Sequence, residues 1–194
     1  MENTKIHFKM NAKDNCHIDE TVTIGENVTL YPNNIISDSI ISKNATVACS
    51  VVEKSVVKEN TTIGPFSRLR PNSEIGSGAR IGNFVEIKNS KVGNGTKVSH
   101  LSYVGDADIG ENVNVGCGVV FVNYNGKKKF RSTVKNGAFV GSSVNVISPV
   151  TIGEKAFVCA GTNVTENVPD FGFAIGRSKM QIKPLMARKY LEKE

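Results

Sequence analysis

The chain has 194 residues, a length typical of one domain or of one domain with a tail. Its 24 basic and 18 acidic side chains leave a net charge of +6, while Trp is absent and aromatic residues make up only 7%. No apolar run approaches the ~20 residues that cross a bilayer, and the first residues form no apolar secretory segment. We therefore expect a cytoplasmic protein without a membrane partner, whose charge is compatible with nucleic acid or phosphorylated small molecules.

A repeat dominates the chain after an N-terminal segment, residues 1–17, that we expect to be irregular. Single apolar residues recur every six positions, with the loss of one residue at a few points. The series comprises Ile18, Ile24, Leu30, Ile36, Ile41, Val47, Val52, Val57, Ile63, Leu69, Ile75, Ile81, Ile87, Val92, Val98, Val104, Ile109, Val115, Phe121, Val134, Val140, Val146, Ile152, Val158 and Val164.

This six-residue period predicts an all-β fold, a parallel β-helix of hexapeptide repeats over residues 18–168. Three short sides then close one triangular coil, and Gly and Asn residues form the corners because they tolerate positive φ. At 18 residues per coil, the stretch from Ile18 to Val164 holds about eight coils. A β-sandwich, the alternative, would show turn signals every 8–12 residues and variable strand spacing. The spacing alone does not fix the handedness of the helix.

Two segments interrupt the repeat. Residues 122–133 (VNYNGKKKFRST) are predicted to form a projecting loop, and residues 169–194 a C-terminal tail with a short helix after Pro184. The basic run at 127–131 could touch nucleic acid, but it is short and lacks aromatic residues for stacking on bases. A solvated loop or a clamp for a phosphorylated ligand is the better interpretation, and we expect no nucleic-acid partner.

Arg70 and Lys88 are the first candidates for chemistry. They lie 18 residues apart in an unbroken part of the repeat, so we expect them to stand one above the other, about 4.8 Å apart, at one corner. Two cations that close favour an anion beside them, and phosphate is the obvious one. A solvated basic edge is the simpler alternative.

His100 is the one histidine within the regular coils, and it is predicted to lie on the outer surface near a corner, one coil after Asn83. A neutral imidazole there could accept a proton from an amine nucleophile, or it could be a plain surface histidine. A zinc site with three histidine ligands is excluded, because the coils contain only one. All four cysteines are expected to be reduced, with Cys117 and Cys159 as small packing residues.

Four stretches carry a resemblance to a known family. They are 63–71 (IGPFSRLRP), 82–88 (GNFVEIK), 100–107 (HLSYVGDA) and 123–126 (NYNG), and the similarity continues at 141–142, 160–162 and 174–177. They closely resemble the C-terminal acetyltransferase domain of the bacterial bifunctional N-acetylglucosamine-1-phosphate uridyltransferase/glucosamine-1-phosphate acetyltransferase. The resemblance covers residues 60–178 well and the earlier coils loosely.

The resemblance implies a left-handed β-helix, a homotrimer with active sites between subunits, and acetyl transfer from acetyl-CoA to glucosamine-1-phosphate without a metal. It implies that His100 is the general base. The residues that match sugar-phosphate ligands are Arg70, Lys88, Tyr103, Asn114 and Lys129. The residues that match acetyl-CoA contacts are Asn123, Tyr124, Ser142, Ala160 and Arg177.

The sequence departs from the family pattern at two points. The nucleotidyltransferase domain of the family is not among the 194 residues, so we do not expect this chain to form the UDP-sugar. Two interpretations stay open: a free-standing acetyltransferase, for which a separate uridyltransferase is a candidate partner, and an excised portion of a longer protein. Asn125 stands where the family usually has Asp, which removes a charge near the acetyl-CoA contacts. Two other functions stay open: acetylation of another, nucleotide-linked amino sugar, and a non-catalytic β-helix scaffold.

Overall fold

The computed structural model describes residues 5–191, and this part of the chain forms 27 short strands and one short helix. The first nine strands are β1 (His7–Phe8), β2 (His17–Ile18), β3 (Thr23–Ile24), β4 (Thr29–Leu30), β5 (Ile35–Ser37), β6 (Ile40–Ile41), β7 (Thr46–Val47), β8 (Val51–Glu53) and β9 (Ser55–Val57). The next nine are β10 (Thr62–Ile63), β11 (Arg68–Leu69), β12 (Ser73–Ile75), β13 (Arg80–Asn83), β14 (Glu86–Lys88), β15 (Lys91–Val92), β16 (Lys97–His100), β17 (Tyr103–Gly105) and β18 (Ala107–Ile109). The remainder are β19 (Asn114–Val115), β20 (Val120–Val122), β21 (Ser132–Val134), β22 (Phe139–Val140), β23 (Asn145–Ile147), β24 (Thr151–Ile152), β25 (Phe157–Val158), β26 (Asn163–Val164), β27 (Phe173–Ala174) and the helix α1 (Arg188–Leu191).

From β1 to β26, every third strand in chain order belongs to the same sheet, so that the chain forms three parallel sheets. This arrangement confirms the predicted β-helix. The first sheet runs from β1 and β4 to β27, the second from β2 and β5 to β26, and the third from β3 and β6 to β24. We name the edge between the first and second sheets the first corner, that between the second and third the second corner, and that between the third and first the third corner. The architecture is consistent with the left-handed helix that the resemblance implies.

The solenoid makes about nine turns rather than the eight expected from the sequence. The repeat extends beyond the predicted limits of 18 and 168, since β1 pairs with β4 and β27 pairs with β25. The weak six-residue pattern at both ends concealed these outer strands. Residues 1–4 of the N-terminal segment and residues 192–194 of the tail lie outside the described residues.

The apolar series points into one continuous core, because alternate residues of each short strand face inward. Along the second sheet the inward positions Leu69, Ile87 and Val104 are fully buried and lie in successive coils. Phe121 follows them, stacked against Val146 of the next coil, and it is only 1% exposed. Stacked β-branched and Leu side chains thus fill the lumen and leave no room for Trp, as the composition predicts.

Left-handed backbone at the corners closes each triangle. Successive coils place Asn or Gly in this conformation at the third corner, as the predicted role of these residue types requires. They are Asn27, Asn44, Asn60, Gly78, Gly95, Asn112 and Gly137. The first corner is different, because the bulky residues Phe66, Phe84 and Leu101 have positive φ there and remain more than half exposed.

Both predicted interruptions are present. Residues 123–131 leave the second corner between β20 and β21 as a projecting segment, which we name the arm, and it lengthens that turn to 25 residues, as in the pairing of Ala107 with Ser132. The tail contains the predicted short helix, α1, after Pro184. Among the described residues no helix is long and apolar enough to cross a membrane.

We predict that Phe121→Ala lowers the free energy of unfolding by about 3–5 kcal/mol, because the lumen cannot collapse around the cavity that it leaves. The control is Phe171→Ala, at a corner position that is 71% exposed, and it should change stability by about 0.5 kcal/mol or less. Chemical denaturation followed by circular dichroism measures both. Equal effects of the two substitutions would contradict the tightly filled lumen.

Candidate functional site

Arg70 and Lys88 stand one above the other at the second corner, so the prediction from their spacing is confirmed. Leu69 pairs with Ile87 in the register of β11 and β14, and the Arg70 N–H donates to the Ile87 carbonyl at 2.8 Å. The guanidinium of Arg70 also donates to Glu86 Oε1 at 2.9 Å, which raises the pKa of Arg70 above its ordinary value. Arg70 is therefore a fixed cation above Lys88.

Lys129 of the arm joins this pair as a third cation. Its ammonium lies close enough to Lys88 to lower the pKa of Lys88, and burial and Arg70 act in the same direction. The Lys88 side chain is only 18% exposed. Two close ammonium groups in a partly dehydrated site repel each other, so an anion that accepts hydrogen bonds from both is favoured there.

Asp106 is the counter-charge of the cluster. It is 6% exposed, and its carboxylate accepts hydrogen bonds from the side-chain amides of Asn89 and Asn123. One carboxylate oxygen lies 3.9 Å from Lys88 Nζ. Burial alone would raise the pKa of Asp106, but the two hydrogen bonds and the nearby ammonium groups outweigh it and lower the pKa. Asp106 therefore remains ionised at neutral pH and lies beneath the lysines.

Tyr103 begins β17 and leans along its strand toward the second corner. Its hydroxyl lies 3.5 Å from Nδ2 of Asn123. Gly105, two residues further on the same face, makes this possible, because a Cβ atom at that position would collide with the Tyr103 ring and with Asn123. The glycine thus lets the phenol reach the edge of the cation cluster.

The arm is a small hairpin with its own hydrogen bonds. Tyr124 pairs with Lys129, and the Asn125 side-chain oxygen accepts from the backbone N–H groups of Lys127 and Lys128 at 3.0 and 2.9 Å. An aspartate carboxylate could accept the same two bonds. Asn125 therefore closes this turn with bonds that an Asp could also make, and it differs from the family's Asp in charge.

His100 lies at the other edge of the second sheet, on the first corner, as predicted. Asn83 is its register partner one coil earlier, and His100 Nδ1 is 3.0 Å from Asn83 Oδ1. An amide oxygen only accepts, so Nδ1 of His100 is the donor in this bond and carries a proton, as in the Nδ1–H tautomer of imidazole. Nε2 then carries a lone pair and is able to accept a proton.

A column of residues continues along the first corner from His100. The registers of β16, β19, β22 and β25 place Cys117, Ser142 and Ala160 in the three coils that follow. Arg177 donates to the Ala160 carbonyl at 3.2 Å, so three predicted acetyl-CoA residues lie together. Cys117 is exposed in this column, and its assignment as a packing residue is wrong, whereas Cys159 is buried as predicted.

The other predicted residues separate from this column within one chain. Asn123 and Tyr124 lie at the base of the arm, on the second corner. Asn114 lies on the first sheet, between Lys97 and Phe139 of the adjacent strands. The structure therefore groups Arg70, Lys88, Lys129, Tyr103 and Asn123 at one corner, and His100, Ser142, Ala160 and Arg177 at the next.

Sequence reasoning missed the residues that support these side chains. They are Glu86, Asn89, Asp106, Asp108 and Arg131. Asp106 could have been found, since the coil that loses one residue places it one coil after Asn89. The contacts of Arg131 depend on the path of the arm, and no spacing rule predicts them.

Comparisons with known proteins agree with this architecture. Residues 54–89 match the family model described as bacterial transferase hexapeptide, with six repeats. The bifunctional protein GlmU of Caldicellulosiruptor saccharolyticus is 53% identical over 185 residues, which are 86% of this chain and 40% of that protein. GlmU of Shouchella clausii is 46% identical and covers 89% of this chain and 42% of its own length. The chain thus spans about two fifths of these relatives.

Solved structures show the same fold at low sequence identity. An Arabidopsis UDP-N-acetylglucosamine acyltransferase covers 89% of this chain and 70% of its own at 12% identity, with a TM-score of 0.57. A mutant of perosamine N-acetyltransferase from Caulobacter crescentus covers 80% of this chain and 93% of its own at 18% identity, with a TM-score of 0.52. The identity of 46–53% to the C-terminal region of GlmU and the match to the hexapeptide model show that the chain belongs to the hexapeptide-repeat family of that region of GlmU.

Proposed function

We propose that the chain is an acyltransferase that moves the acetyl group of acetyl-CoA to the amine of glucosamine-1-phosphate, in a cytoplasmic route to UDP-N-acetylglucosamine. The observation that carries this proposal is the cluster of Arg70, Lys88 and Lys129 at the second corner, across the second sheet from His100 at the first corner. The cluster suits a terminal phosphate, and the histidine suits an amine. The relatives' name and extensive identity support the same activity.

The two corners lie at opposite edges of the second sheet. Five residues lead from His100 to Gly105, the register partner of Lys88, and they span at most about 17 Å of backbone. The long side chains of Lys88 and Tyr103 shorten the gap between the imidazole and the cations. A phosphate held by the cations therefore directs the rest of the sugar over the second sheet toward His100.

The chemical step follows from the tautomer that Asn83 fixes. The amine nitrogen attacks the thioester carbonyl, Nε2 of His100 accepts the amine proton, and the tetrahedral intermediate expels the CoA thiolate as the amide forms. The imidazolium then supplies the proton that the thiolate takes up. A positioned base contributes about 10²–10⁴ to such a rate, and binding through the phosphate holds the amine in line with the carbonyl.

Acetyl-CoA fits the column that continues from His100. Ser142 and Ala160 stack along the first corner, and Arg177 stands at the far end, where a cation can meet the cofactor phosphates. The perosamine N-acetyltransferase was solved with CoA and GDP-perosamine, which supports an acyl-CoA donor for this fold. It also keeps a nucleotide-linked amino sugar as the second candidate acceptor.

A homotrimer would reunite the residues that a single chain separates. Asn114 lies on the first sheet, round the first corner from Tyr103, and the arm projects away from the second corner. The stacked rings of Phe66 and Phe84, 5.5 Å apart and more than half exposed, offer an apolar ridge that another subunit can cover. We therefore place each active site between two copies of the chain.

We predict that thiol release from acetyl-CoA is fastest with glucosamine-1-phosphate. Free glucosamine lacks the group that the three cations bind, so kcat/KM should fall by at least about 100-fold, the worth of losing strong charge-assisted bonds. UDP-glucosamine tests the second candidate. Equal rates with free glucosamine would overturn the phosphate assignment, and faster turnover of UDP-glucosamine would establish the nucleotide-linked alternative.

We predict that His100→Ala lowers kcat by about 10²–10⁴ and leaves both KM values within a few-fold, because the base acts in the chemical step. His17→Ala, at an exposed histidine of β2, is the matched control and should retain normal turnover. Calorimetry verifies that the His100 variant still binds both substrates. A variant that binds them and keeps near-normal kcat would remove the general-base role.

The homotrimer predicts a solution mass of three chains, measured by light scattering at the concentration used for the assay. Phe84→Glu introduces a charge into the apolar ridge and should lower both the mass and the activity. The control is Lys155→Glu, on the third corner, which changes the net charge by more than Phe84→Glu does. It should lower neither the solution mass nor the activity. A stable and fully active monomer would contradict the shared sites.

A further inference from the structure

We propose that Asp106 and Arg131 are positioning residues that hold the arm so that Lys129 stands beside Lys88 and the two lysines form one phosphate-binding site. This inference rests on the proposed function, because it takes the sugar phosphate as the anion. It assigns roles to two residues outside the set that contacts substrate.

Asp106 fastens the first end of the arm. Its carboxylate joins the coils on either side of its own, since it accepts from Asn89 one coil earlier and from Asn123, the first arm residue, one coil later. Asp106 has a φ of 52°, which turns its side chain out of the strand row and beneath the arm. Asn123 is only 6% exposed, so this end of the arm is buried.

Arg131 fastens the second end. Its guanidinium donates to both carboxylate oxygens of Asp108, at 2.6 and 2.8 Å, a geometry that restricts its orientation. It also donates to the backbone carbonyls of Asn89 at 3.0 Å and Ala107 at 3.3 Å. Arg131 therefore binds the last arm residue to the two coils that carry Lys88 and Asp106.

The arm between these two ends transmits the position to Lys129. Tyr124 pairs with Lys129, and the Phe130 N–H donates to the Asn123 carbonyl at 2.8 Å, so the hairpin has little freedom once its ends are held. The position of Lys129 therefore depends on the two ends of the arm, which Asp106 and Arg131 hold.

Repulsion makes such anchoring necessary. Lys88 is faced by Lys129 and Arg70 as cations and by Asp106 as the opposing charge, with Glu86 already bonded to Arg70. If one end of the arm were free, repulsion from Lys88 would move Lys129 away. The phosphate would then have to bring the two lysines together, which would reduce its net binding free energy. The anchors impose this arrangement before the substrate arrives.

A double-mutant cycle separates positioning from direct binding. Lys129→Ala, Arg131→Ala and the double variant are compared by the KM and kcat for glucosamine-1-phosphate and by its Kd from calorimetry. Arg131→Ala should raise KM and Kd about tenfold, with kcat changed by no more than about twofold. The double variant should bind no worse than Lys129→Ala, because Arg131 acts through Lys129. Arg131→Lys, which can keep one bond to Asp108, should recover part of the affinity.

Asp106→Asn tests the charge of the other anchor. Asn adopts positive φ readily, so the backbone is accommodated. Without the carboxylate the pKa of Lys88 decreases further, since Asp106 is the group that raises it. Lys88 binds phosphate in its protonated form, so affinity is lost as pH rises through its pKa. In a plot of 1/KM against pH, the alkaline decrease should therefore move to lower pH in Asp106→Asn and stay unchanged in the control Lys135→Ala.

Lys135→Ala is the matched control. It removes the ion pair between Lys135 Nζ and Asp170 Oδ1, 2.9 Å apart, which is about as exposed as the pair of Arg131 and Asp108 but does not touch the arm. All variants should keep their thermal transition. Normal Kd in Arg131→Ala, or multiplicative losses in the double variant, would overturn the proposal. If the wild-type protein binds glucosamine-1-phosphate but does not acetylate it, the proposed function is wrong. The Kd values of the double-mutant cycle still test the positioning role of the arm in that case.

Discussion

The narrow lumen is the constraint on which the rest of the structure depends. Each side of a coil must bury one apolar residue against the coils above and below, as Leu69, Ile87 and Val104 do. Because the register is fixed in this way, every outward residue also acquires a fixed height and a fixed corner. Outward residues one coil apart in sequence thereby become neighbours at the spacing of paired strands, with no other contact needed to bring them together.

Two corners of one sheet divide the chemistry. The first carries His100 with its tautomer set by Asn83, and the second carries three cations balanced by Asp106 and Glu86. Separate placement keeps the positive cluster of the second corner away from the imidazole at the first corner. The arm interrupts the repeat at the second corner, where its basic residues complete the cluster.

Much of this was accessible from the sequence. The 18-residue spacing predicted Arg70 above Lys88, and the next coil, one residue shorter, placed His100 after Asn83 on the outer surface. The number of turns was underestimated, since β1 and β27 lie where the pattern is weak. Cys117 was misplaced because a residue next to a corner can face either way, and periodicity within the strand does not determine which.

The sequence by itself determined the solenoid, the stacking of one coil on the next and the position of the arm, because these follow from a period of six and from where it stops. Only the tertiary structure decided which side chains support the site. Arg131 reaches Asp108 and the backbone carbonyl of Asn89 across the base of the arm. The physical reason is that a lateral contact in a β-helix follows from the register, whereas a contact made by an inserted hairpin depends on the path of its backbone through space.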